Sequence, residues 1–195
     1  MNGIGEHQMD IEIKLAQIRE LFLHEHSFKK GDIKSLAIDI HKIFERGNKI
    51  AFVGNGGSAA EAMHLAAEFT GRCLINHKPL AALCLNESQS ALTAIANDYG
   101  IDQMFSRMVE AHLVEGDLLI ALTTSGRSQN IIKAVETAKQ RSIRTIVWMG
   151  DYDFAVSGVE TWKVPSNVTP RIQEIHLAWG HLVAELVEIA IEKSN

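Results

Sequence analysis

The positions of apolar and polar residues divide the chain into two parts with different periodicities. Up to about residue 47, apolar side chains recur at helical spacing and predict two amphipathic helices, over Ile11–Phe22 and Ile33–Phe44. Gly31 and Asp32 are predicted to separate these helices, with Asp32 as a candidate N-cap. From Lys49 onward, short apolar runs alternate with helical patterns, which is typical of a parallel sheet with helices on both faces.

Five apolar runs in the second part are predicted to be strands. They are Ile50–Val53, Leu80–Leu85, Asp117–Leu122, Thr145–Met149 and Thr161–Val164. Helical patterns follow about the first four of them, and a long last helix is predicted from Pro170 to about Glu192. The predicted fold class is therefore α/β, a three-layer sandwich of flavodoxin-like or Rossmann-like type with a five-stranded parallel sheet flanked by helices.

Nothing along the chain marks a domain boundary, so residues 1–195 are expected to form one domain. Residues 1–47 are expected to form a helical extension that packs on the core and at subunit interfaces. The apolar stripe of the first helix can be covered by its own domain or by a second subunit. We favour the subunit interface, because terminal helices with a full apolar stripe often pair with a symmetry mate.

Composition and charge argue against several classes of function. The net charge is −5 and there is no basic block, so nucleic acid is not an expected partner. The apolar runs are too short to span a bilayer, and the N-terminal segment lacks the basic start and apolar stretch of a signal peptide. We therefore expect a cytoplasmic protein without a membrane partner, in which Cys73 and Cys84 are free thiols that pack as small apolar side chains.

The segment that is most informative about function begins where the first predicted strand ends. Gly54–Ser58 is a glycine-rich turn between a strand and a helix, where N–H groups at the helix start can bind phosphate. The helix that follows carries His64 and Glu68 on one face, one turn apart. A phosphate site followed by two proton-exchanging side chains indicates chemistry on a phosphorylated small molecule, although a core histidine and a solvated glutamate would show the same spacing.

A second loop of this kind follows the third predicted strand and precedes the predicted helix Asn130–Arg141. Its hydroxyl groups can each donate to a phosphate oxygen, and Arg127 can add a positive charge. The hydroxyl-bearing residues are Thr123, Thr124, Ser125 and Ser128. Taken alone, the loop could be an ordinary helix N-cap, but two such loops at the carboxyl ends of parallel strands are expected to face one crevice.

Two further segments carry polar residues whose assignment is weaker. Asn97 and Asp98 lie near the end of a helical pattern and can reach sugar hydroxyls, although such a stretch is also a common helix stop. In the last helix, Gln173 and His181 lie opposite the predicted apolar stripe, on a face that is itself partly apolar. We therefore expect both to need partners, or to form a satisfied structural pair.

The apolar stripe predicted for the last helix comprises Ile172, Ile175, Trp179, Leu182, Leu186 and Ile189. Gln173 and His181 are separated by ~12 Å along the helix axis, so one ligand can contact both only from a midway position. His64, Glu68 and His181 are acceptable zinc ligands, whereas glutamine is an unusual one.

In this order, four segments of the chain resemble the sugar isomerase (SIS) domain and, within it, the phosphoheptose isomerases. They are GNGGSAAEAMHLAAEFTGR, SALTAIANDYG, TTSGRSQN and PRIQEIHLAWGH. The resemblance implies a five-stranded parallel sheet and a homotetramer with active sites near subunit contacts. It also implies conversion of D-sedoheptulose 7-phosphate to D-glycero-D-manno-heptose 7-phosphate through an enediol, the first step toward nucleotide-activated heptose.

The resemblance also implies roles for individual residues. Glu68 is expected to be the catalytic base and His181 the catalytic acid. Members that bind zinc would hold it through His64, Glu68, Gln173 and His181. The residues implied in binding a phosphorylated seven-carbon sugar are Asn55, Gly56, Gly57, Ser58, Glu68, Asn97, Asp98, Thr123, Thr124, Ser125, Ser128 and Gln173.

The chain departs from the family pattern at two places. Gly150–Phe154 stands where the family usually has a glycine-rich turn, and Arg127 stands where many members carry asparagine. Two other functions are compatible with the resemblance: a non-catalytic SIS protein that binds a sugar phosphate or associates with a replication initiator, and an isomerase of another phosphosugar. Because the chain retains Glu68 and His181, the enzyme is favoured.

Overall fold

Seven α-helices, a short 3₁₀ helix (Ile101–Gln103) and five strands make up the described part of the chain, which comprises residues 10–28 and 30–194 of a computed structural model. The helices are α1 (Ile11–Leu23), α2 (Lys30–Glu45), α3 (Gly57–Thr70), α4 (Gln89–Tyr99), α5 (Met104–His112), α6 (Gln129–Gln140) and α7 (Thr169–Ser194). The strands are β1 (Ile50–Gly54), β2 (Ala82–Cys84), β3 (Leu118–Leu122), β4 (Arg144–Met149) and β5 (Glu160–Lys163). Residues 1–9 of the predicted extension and residue 195 lie outside the described residues.

The strands form one parallel sheet in the order β2-β1-β3-β4-β5. β1 and β3 are paired so that Ile50 lies beside Leu118 and Gly54 beside Leu122, and the two strands therefore end side by side. Since β2 lies on one side of β1 and β3 on the other, the connections leave β1 and β3 in different directions and open a crevice, where ligands bind in such sheets. The predicted five-stranded parallel sheet is confirmed.

Alternate side chains of the strands pack into separate apolar clusters on the two faces of the sheet. Phe52 and Trp148 belong to the cluster formed with α2, α3 and α7. Val53 and Met149 belong to the opposite cluster, formed with α4, α5 and α6. This alternation is expected of strands that are buried on both faces, and it confirms the three-layer arrangement.

Predictions about the ends of two elements are wrong. Gly31 and Asp32 do not separate two helices but lie in the first turn of α2, where the carboxylate of Asp32 interacts favourably with the helix dipole. The connection between α1 and α2 lies instead around residues 24–28. β2 is shorter than predicted and comprises only Ala82–Cys84.

In the described structure, no helix lies between β4 and β5, so the helical pattern expected after the fourth strand is not formed. Instead, the N–H groups of Gly150 and Asp151 donate to the carbonyl oxygens of Thr124 and Ser166 at 3.1 and 3.0 Å. A side chain at Gly150 would overlap both of these carbonyl oxygens. The segment after β4 is therefore held against the loop that follows β3, and it is not free to wind into a helix.

The first and last helices bury less of their predicted stripes than expected. Among the described residues of α1, none is buried, and Ile11 and Leu15 are 63% and 50% exposed. Coverage of this stripe by a second subunit therefore stays a prediction. The buried face of α7 is rotated from the predicted one, because Val183 and Val187 are buried whereas Leu182 and Ile189 are exposed.

Within the two described ranges, no helix combines the length and the apolar content that crossing a membrane requires.

A buried carboxylate links the segments that lead into β1 and β3, at the end of the sheet opposite the crevice. The Asp117 side chain, which has no exposed surface, accepts a hydrogen bond from Nζ of Lys49 at 2.7 Å. It also accepts from the backbone N–H groups of Lys49 and Val114 and from the Asn48 amide, at 2.9 to 3.1 Å. Burial alone would raise the pKa of Asp117, but these hydrogen bonds outweigh it and hold the pKa below its ordinary value.

Asp117→Asn is expected to lower the free energy of unfolding by about 2–3 kcal/mol near pH 7, because the ammonium group of Lys49 loses its charged partner. A carboxylate whose pKa is depressed by folding adds stability only above its ordinary pKa, and this contribution is lost as the pH falls through the folded value. The difference from the wild type should therefore shrink on acidification. Urea unfolding at about pH 7 and at about pH 2–3, below the ordinary pKa of the carboxyl group, at one protein concentration, measures it.

Asp153→Asn is the matched control, because Asp153 is exposed and lies 3.5 Å from Lys163. This substitution should leave unfolding almost unchanged. Equal effects of the two substitutions would contradict the role given to Asp117.

Candidate active site

Gly54 and Gly56 shape the loop that leads from β1 into α3. A side chain at Gly54 would overlap the backbone carbonyl group of Ser58, and Gly56 has a φ of +54°, a region that favours glycine. Asn86 fixes the loop by donating to the carbonyl oxygen of Gly54 at 2.8 Å and accepting from its N–H at 3.2 Å. The first turn of α3 therefore starts at the crevice with Gly57 and Ser58, as the predicted order of strand, turn and helix requires.

The loop between β3 and α6 is ordered by its own hydroxyl groups. The hydroxyl oxygen of Thr123 accepts a hydrogen bond from the N–H of Gly126 at 3.2 Å, and that of Ser125 accepts from the N–H of Arg127 at 3.3 Å. Ser128 is the N-cap residue of α6, but within the described structure its hydroxyl makes no capping hydrogen bond. This hydroxyl is therefore available to an anionic ligand at the positive end of the helix dipole.

A pair of amide side chains joins the two loops. Asn55 donates to Asn130 at 2.8 Å, and Asn130 donates back to Asn55 at 2.9 Å. Between the loops lies a cavity of about 140 Å³. Its lining residues are Asn55, Gly57, Ser58, Leu122, Thr123, Thr124, Ser128, Thr169 and Gln173.

Most of the residues predicted to bind substrate lie at this cavity, but not all of them. Gly56 forms the turn beside it, and the Ser125 hydroxyl is engaged within its own loop. Asn97 and Asp98 are exposed near the end of α4, where the Asn97 amide donates to Asp98 at 2.8 Å, and they do not line the cavity. Their role in sugar binding stays a prediction.

Three residues that build the cavity were not predicted from the sequence. Thr169 directly precedes Pro170, so the predicted start of the last helix was the signal that could have identified it. Asn86 and Asn130 act through hydrogen bonds between segments that are distant in the chain, and no local pattern marks such residues.

Helices α3 and α7 lie side by side and run in the same direction, with Gly57 beside Gln173 and Leu65 beside Gly180. Gly180 permits this close approach, because a side chain there would overlap the buried side chain of Leu65. We call this contact surface between α3 and α7 the seam.

At the seam, the Nε2 atoms of His64 and His181 lie 2.8 Å apart. The Nε2 atom of His64 also lies 3.3 Å from Oε1 of Glu68, whose side chain is 19% exposed. One ligand atom from each of the three residues lies within 4.8 Å of the others, so His64, Glu68 and His181 form a group that could hold a metal ion.

Gln173 lies at the other end of the predicted cluster. Its amide is next to Gly57 at the cavity, about 10 Å along α3 from His64. The structure therefore brings together three of the four predicted metal ligands and places the fourth among the residues that line the cavity.

Cys73 lies beside Glu68, just beyond the end of α3. Burial, followed by the hydrogen bond and charge of Glu68, raises the pKa of this thiol to about 12. Burial also raises the pKa of Cys84 to about 11. Both thiols are free, and they stay protonated near neutral pH.

Comparison with known proteins identifies the family of this chain. Residues 15–150 match the family model of the SIS domain. The chain is 46% identical over 160 residues to the phosphoheptose isomerase of Akkermansia muciniphila, which covers 81% of this chain and 85% of that protein. The chain belongs to the phosphoheptose isomerase family of SIS domain proteins.

The similarity to phosphoheptose isomerases extends over nearly the whole chain. The phosphoheptose isomerase of Thermodesulfovibrio yellowstonii is 41% identical over 186 residues, 92% of each protein. A solved phosphoheptose isomerase from Neisseria gonorrhoeae is similar in structure, with a TM-score of 0.81 at 34% identity over 91% of this chain and 96% of that one. The similarity to these proteins therefore includes α7, the helix that carries Gln173 and His181.

Proposed function

We propose that the protein is an aldose–ketose isomerase that converts D-sedoheptulose 7-phosphate to D-glycero-D-manno-heptose 7-phosphate, the first step toward nucleotide-activated heptose. Its relatives in Akkermansia muciniphila and Thermodesulfovibrio yellowstonii are phosphoheptose isomerases and match most of its length.

The observation that carries this proposal is the meeting of a carboxylate and two imidazoles at the seam. Glu68 and His181 both lie beside Nε2 of His64, at 3.3 and 2.8 Å. An isomerisation between neighbouring carbons needs a base and an acid that reach one substrate, and this geometry supplies both. A protein that only binds sugar phosphates requires neither group.

In the proposed reaction, Glu68 removes a proton from C1, and the electron pair of that C–H bond forms the C1–C2 double bond of a cis-enediol. His181 donates a proton to the oxygen on C2, which was the ketone oxygen. Glu68 then returns its proton to C2 while His181 takes the proton from the oxygen on C1. The product is the aldose, and both side chains regain their starting protonation.

The cavity between the two loops is assigned to the phosphate group. Its hydroxyl and backbone donors, with Ser128 at the start of α6, are suited to an anion. The ~10 Å between Gly57 and His64 along α3 is a separation that an extended seven-carbon chain can bridge. Binding energy from the phosphate end can therefore hold C1 and C2 beside Glu68 and His181.

We infer that the seam binds a metal ion and that this ion is zinc. Two imidazole nitrogens and one carboxylate oxygen are a donor set typical of zinc sites, and the three atoms converge here. His64, Glu68 and His181 would hold the ion, which would polarise substrate oxygens. While they are metal ligands, Glu68 and His181 would not be free to exchange the protons described above, so the metal-bound form and the acid–base scheme compete. Gln173 would join them only if its amide left Gly57.

We also infer a homotetramer in the cytoplasm. The exposed apolar side chains of α1, among them Ile11, Leu15 and Phe22, support burial against another subunit. The free thiols Cys73 and Cys84 support a reducing compartment.

Glu68→Gln is expected to lower kcat by about 10²- to 10⁴-fold, because an amide cannot accept the C1 proton, while binding of sedoheptulose 7-phosphate stays nearly unchanged. A coupled assay of product formation and calorimetric titration measure the two quantities.

Glu110→Gln is the control for this variant, because Glu110 is exposed on α5. It should retain wild-type turnover. Near-normal activity of Glu68→Gln would refute the assignment of the base, and a wild-type protein that binds the sugar phosphate without converting it would favour a non-catalytic function.

Thr124→Ala and Ser128→Ala are each expected to raise the Kd for sedoheptulose 7-phosphate about tenfold, because each removes a hydroxyl donor from the phosphate cavity. The pH profile of kcat should not move, since neither hydroxyl exchanges the reacting protons. Ser157→Ala, at an exposed position outside the cavity, is the control. An unchanged affinity of the double variant would show that the phosphate binds elsewhere.

Zinc is expected to bind with one equivalent per chain and to raise the Tm of the wild-type protein, because it binds only the folded state. His64→Ala and His181→Ala should abolish the shift, whereas His112→Ala, at an exposed position on α5, should retain it. Metal analysis and thermal unfolding with zinc or with chelator measure this. A shift that persists in both seam variants would place the metal elsewhere, and turnover after exhaustive chelation decides whether the metal takes part in catalysis.

A further inference from the structure

Two buried ionisable side chains lie behind the cavity and have no part in the proposed reaction. Glu61 on α3 is 5% exposed and His176 on α7 is 0% exposed. The Oε1 atom of Glu61 lies 3.7 Å from Nδ1 of His176. Among the described residues, neither carboxylate oxygen and neither ring nitrogen has a hydrogen-bond partner of normal geometry. Unpaired buried polar groups are costly, so this pair requires an explanation.

The aromatic cluster around His176 holds its ring in place. Its ring centroid lies 5.6 Å from that of Trp179 and 6.1 Å from that of Trp148. Burial lowers the pKa of His176 to about 3, and a backbone group of Met149 offsets this only in part. His176 is therefore a neutral imidazole with a fixed orientation, and Glu61 is the polar side chain on α3 that it faces.

On its other side, Glu61 faces two residues of the cavity. Ser58 lies one turn earlier on α3, and Gln173 lies one turn before His176 on α7. Burial raises the pKa of Glu61 to about 7, while Ser58 and Gln173, which lie beside the carboxyl group, favour its ionised form. Both of these residues line the cavity of about 140 Å³.

The two oxygens of the Glu61 carboxyl group can interact with different neighbours. One oxygen approaches the imidazole of His176, and the other is available to the Gln173 amide and the Ser58 hydroxyl. If the amide N–H₂ of Gln173 donates to Glu61, the amide oxygen must point the opposite way, toward a ligand in the cavity. The buried pair can therefore determine which end of the amide the ligand meets.

We propose that Glu61, held by His176, is a positioning residue that orients the Gln173 amide and the Ser58 hydroxyl toward the sugar phosphate. The identification of the ligand as a sugar phosphate rests on the proposed function. The claim that Glu61 orients the Gln173 amide does not depend on it. Neither Glu61 nor His176 touches the reacting carbons in this scheme.

Glu61→Leu separates this role from a merely structural one. Replacing a buried, poorly paired carboxyl group by an apolar side chain of similar size is often neutral or stabilising, so the variant should remain folded. If Glu61 is a positioning residue, Glu61→Leu should raise KM about tenfold, because roughly one hydrogen bond to the ligand is lost. The value of kcat should change much less. A KM equal to that of the wild type in this folded variant would overturn the proposal.

Glu61→Gln is the conservative counterpart. Its amide can accept from Gln173 with the oxygen and donate to His176 with the nitrogen, so it should recover most of the affinity that Glu61→Leu loses. Glu136→Leu, at an exposed position on α6, controls for the added leucine and should leave KM unchanged. His176→Phe should raise KM in the same direction, and its combination with Glu61→Leu should be less than additive.

Neutron diffraction, or X-ray data at about 1 Å where the amide oxygen and nitrogen can be distinguished, gives a readout on the two Glu61 variants that does not need the substrate. The Gln173 amide should keep its wild-type orientation in Glu61→Gln and lose it in Glu61→Leu. If the wild-type protein fails to convert or bind sedoheptulose 7-phosphate, the proposed function fails while this comparison still decides the positioning role. An unchanged Gln173 amide in Glu61→Leu would overturn the positioning role even if KM rose.

Discussion

The close packing of α3 against α7 is the constraint on which the candidate site depends. Gly180 lies against Leu65 and Gly57 lies against the Gln173 amide, and a side chain at either glycine would overlap its neighbour. Two helices this close and running in the same direction place polar side chains opposite one another at successive turns. At the far end, Glu188 accepts hydrogen bonds from three N–H groups of the segment after α3 at 2.7 to 2.8 Å. Apolar packing therefore aligns the polar groups, and a larger side chain in the seam would separate them.

In the proposed function, the loops at the end of the sheet bind the phosphate group and the side chains at the seam exchange protons with the substrate. The ends of β1 and β3 fix two loops that the Asn55–Asn130 amide pair holds together, and these loops offer backbone and hydroxyl donors to an anion. The groups able to exchange protons lie farther along α3, where Glu68 and His181 approach His64. Because α3 starts at the first loop and carries His64 and Glu68 toward its end, one rigid helix would set the distance between the phosphate and the reacting carbons of the proposed substrate. Rigid spacing of this kind is what binding energy from a remote group needs in order to assist catalysis.

Local patterns predict most of the fold because a strand, a turn and a helix each have a short-range signature. β1 ends at Gly54, one residue from its predicted end, since the glycines of the next turn break an apolar run. The site is predicted less completely, because its contacts join distant residues: His64 and His181 are 117 positions apart. Periodicity shows that Gln173 and His181 need partners and lie ~12 Å apart along the helix axis, but only the packing of α7 on α3 reveals which groups each of them meets. His176 escapes prediction because a histidine beside an apolar stripe resembles a boundary residue, whereas here it is completely buried.

The two departures from the family pattern are in contact with each other. The guanidinium carbon of Arg127 lies 5.5 Å from the ring centroid of Tyr152, within range of a cation–π interaction. Gly126, whose φ is +67°, lies close to Met149 of β4 and to Phe154 of the altered segment. The charge of Arg127 in the loop after β3 and the segment after β4 are therefore in direct contact, and the aromatic ring of Tyr152 positions the guanidinium group at that loop. Since Tyr152 and Phe154 also pack against the apolar cluster under α6, the position of this charge is tied to the core of the protein. An asparagine in place of Arg127 would leave the Tyr152 ring without this contact, so the side chain at position 127 affects the packing of the segment after β4.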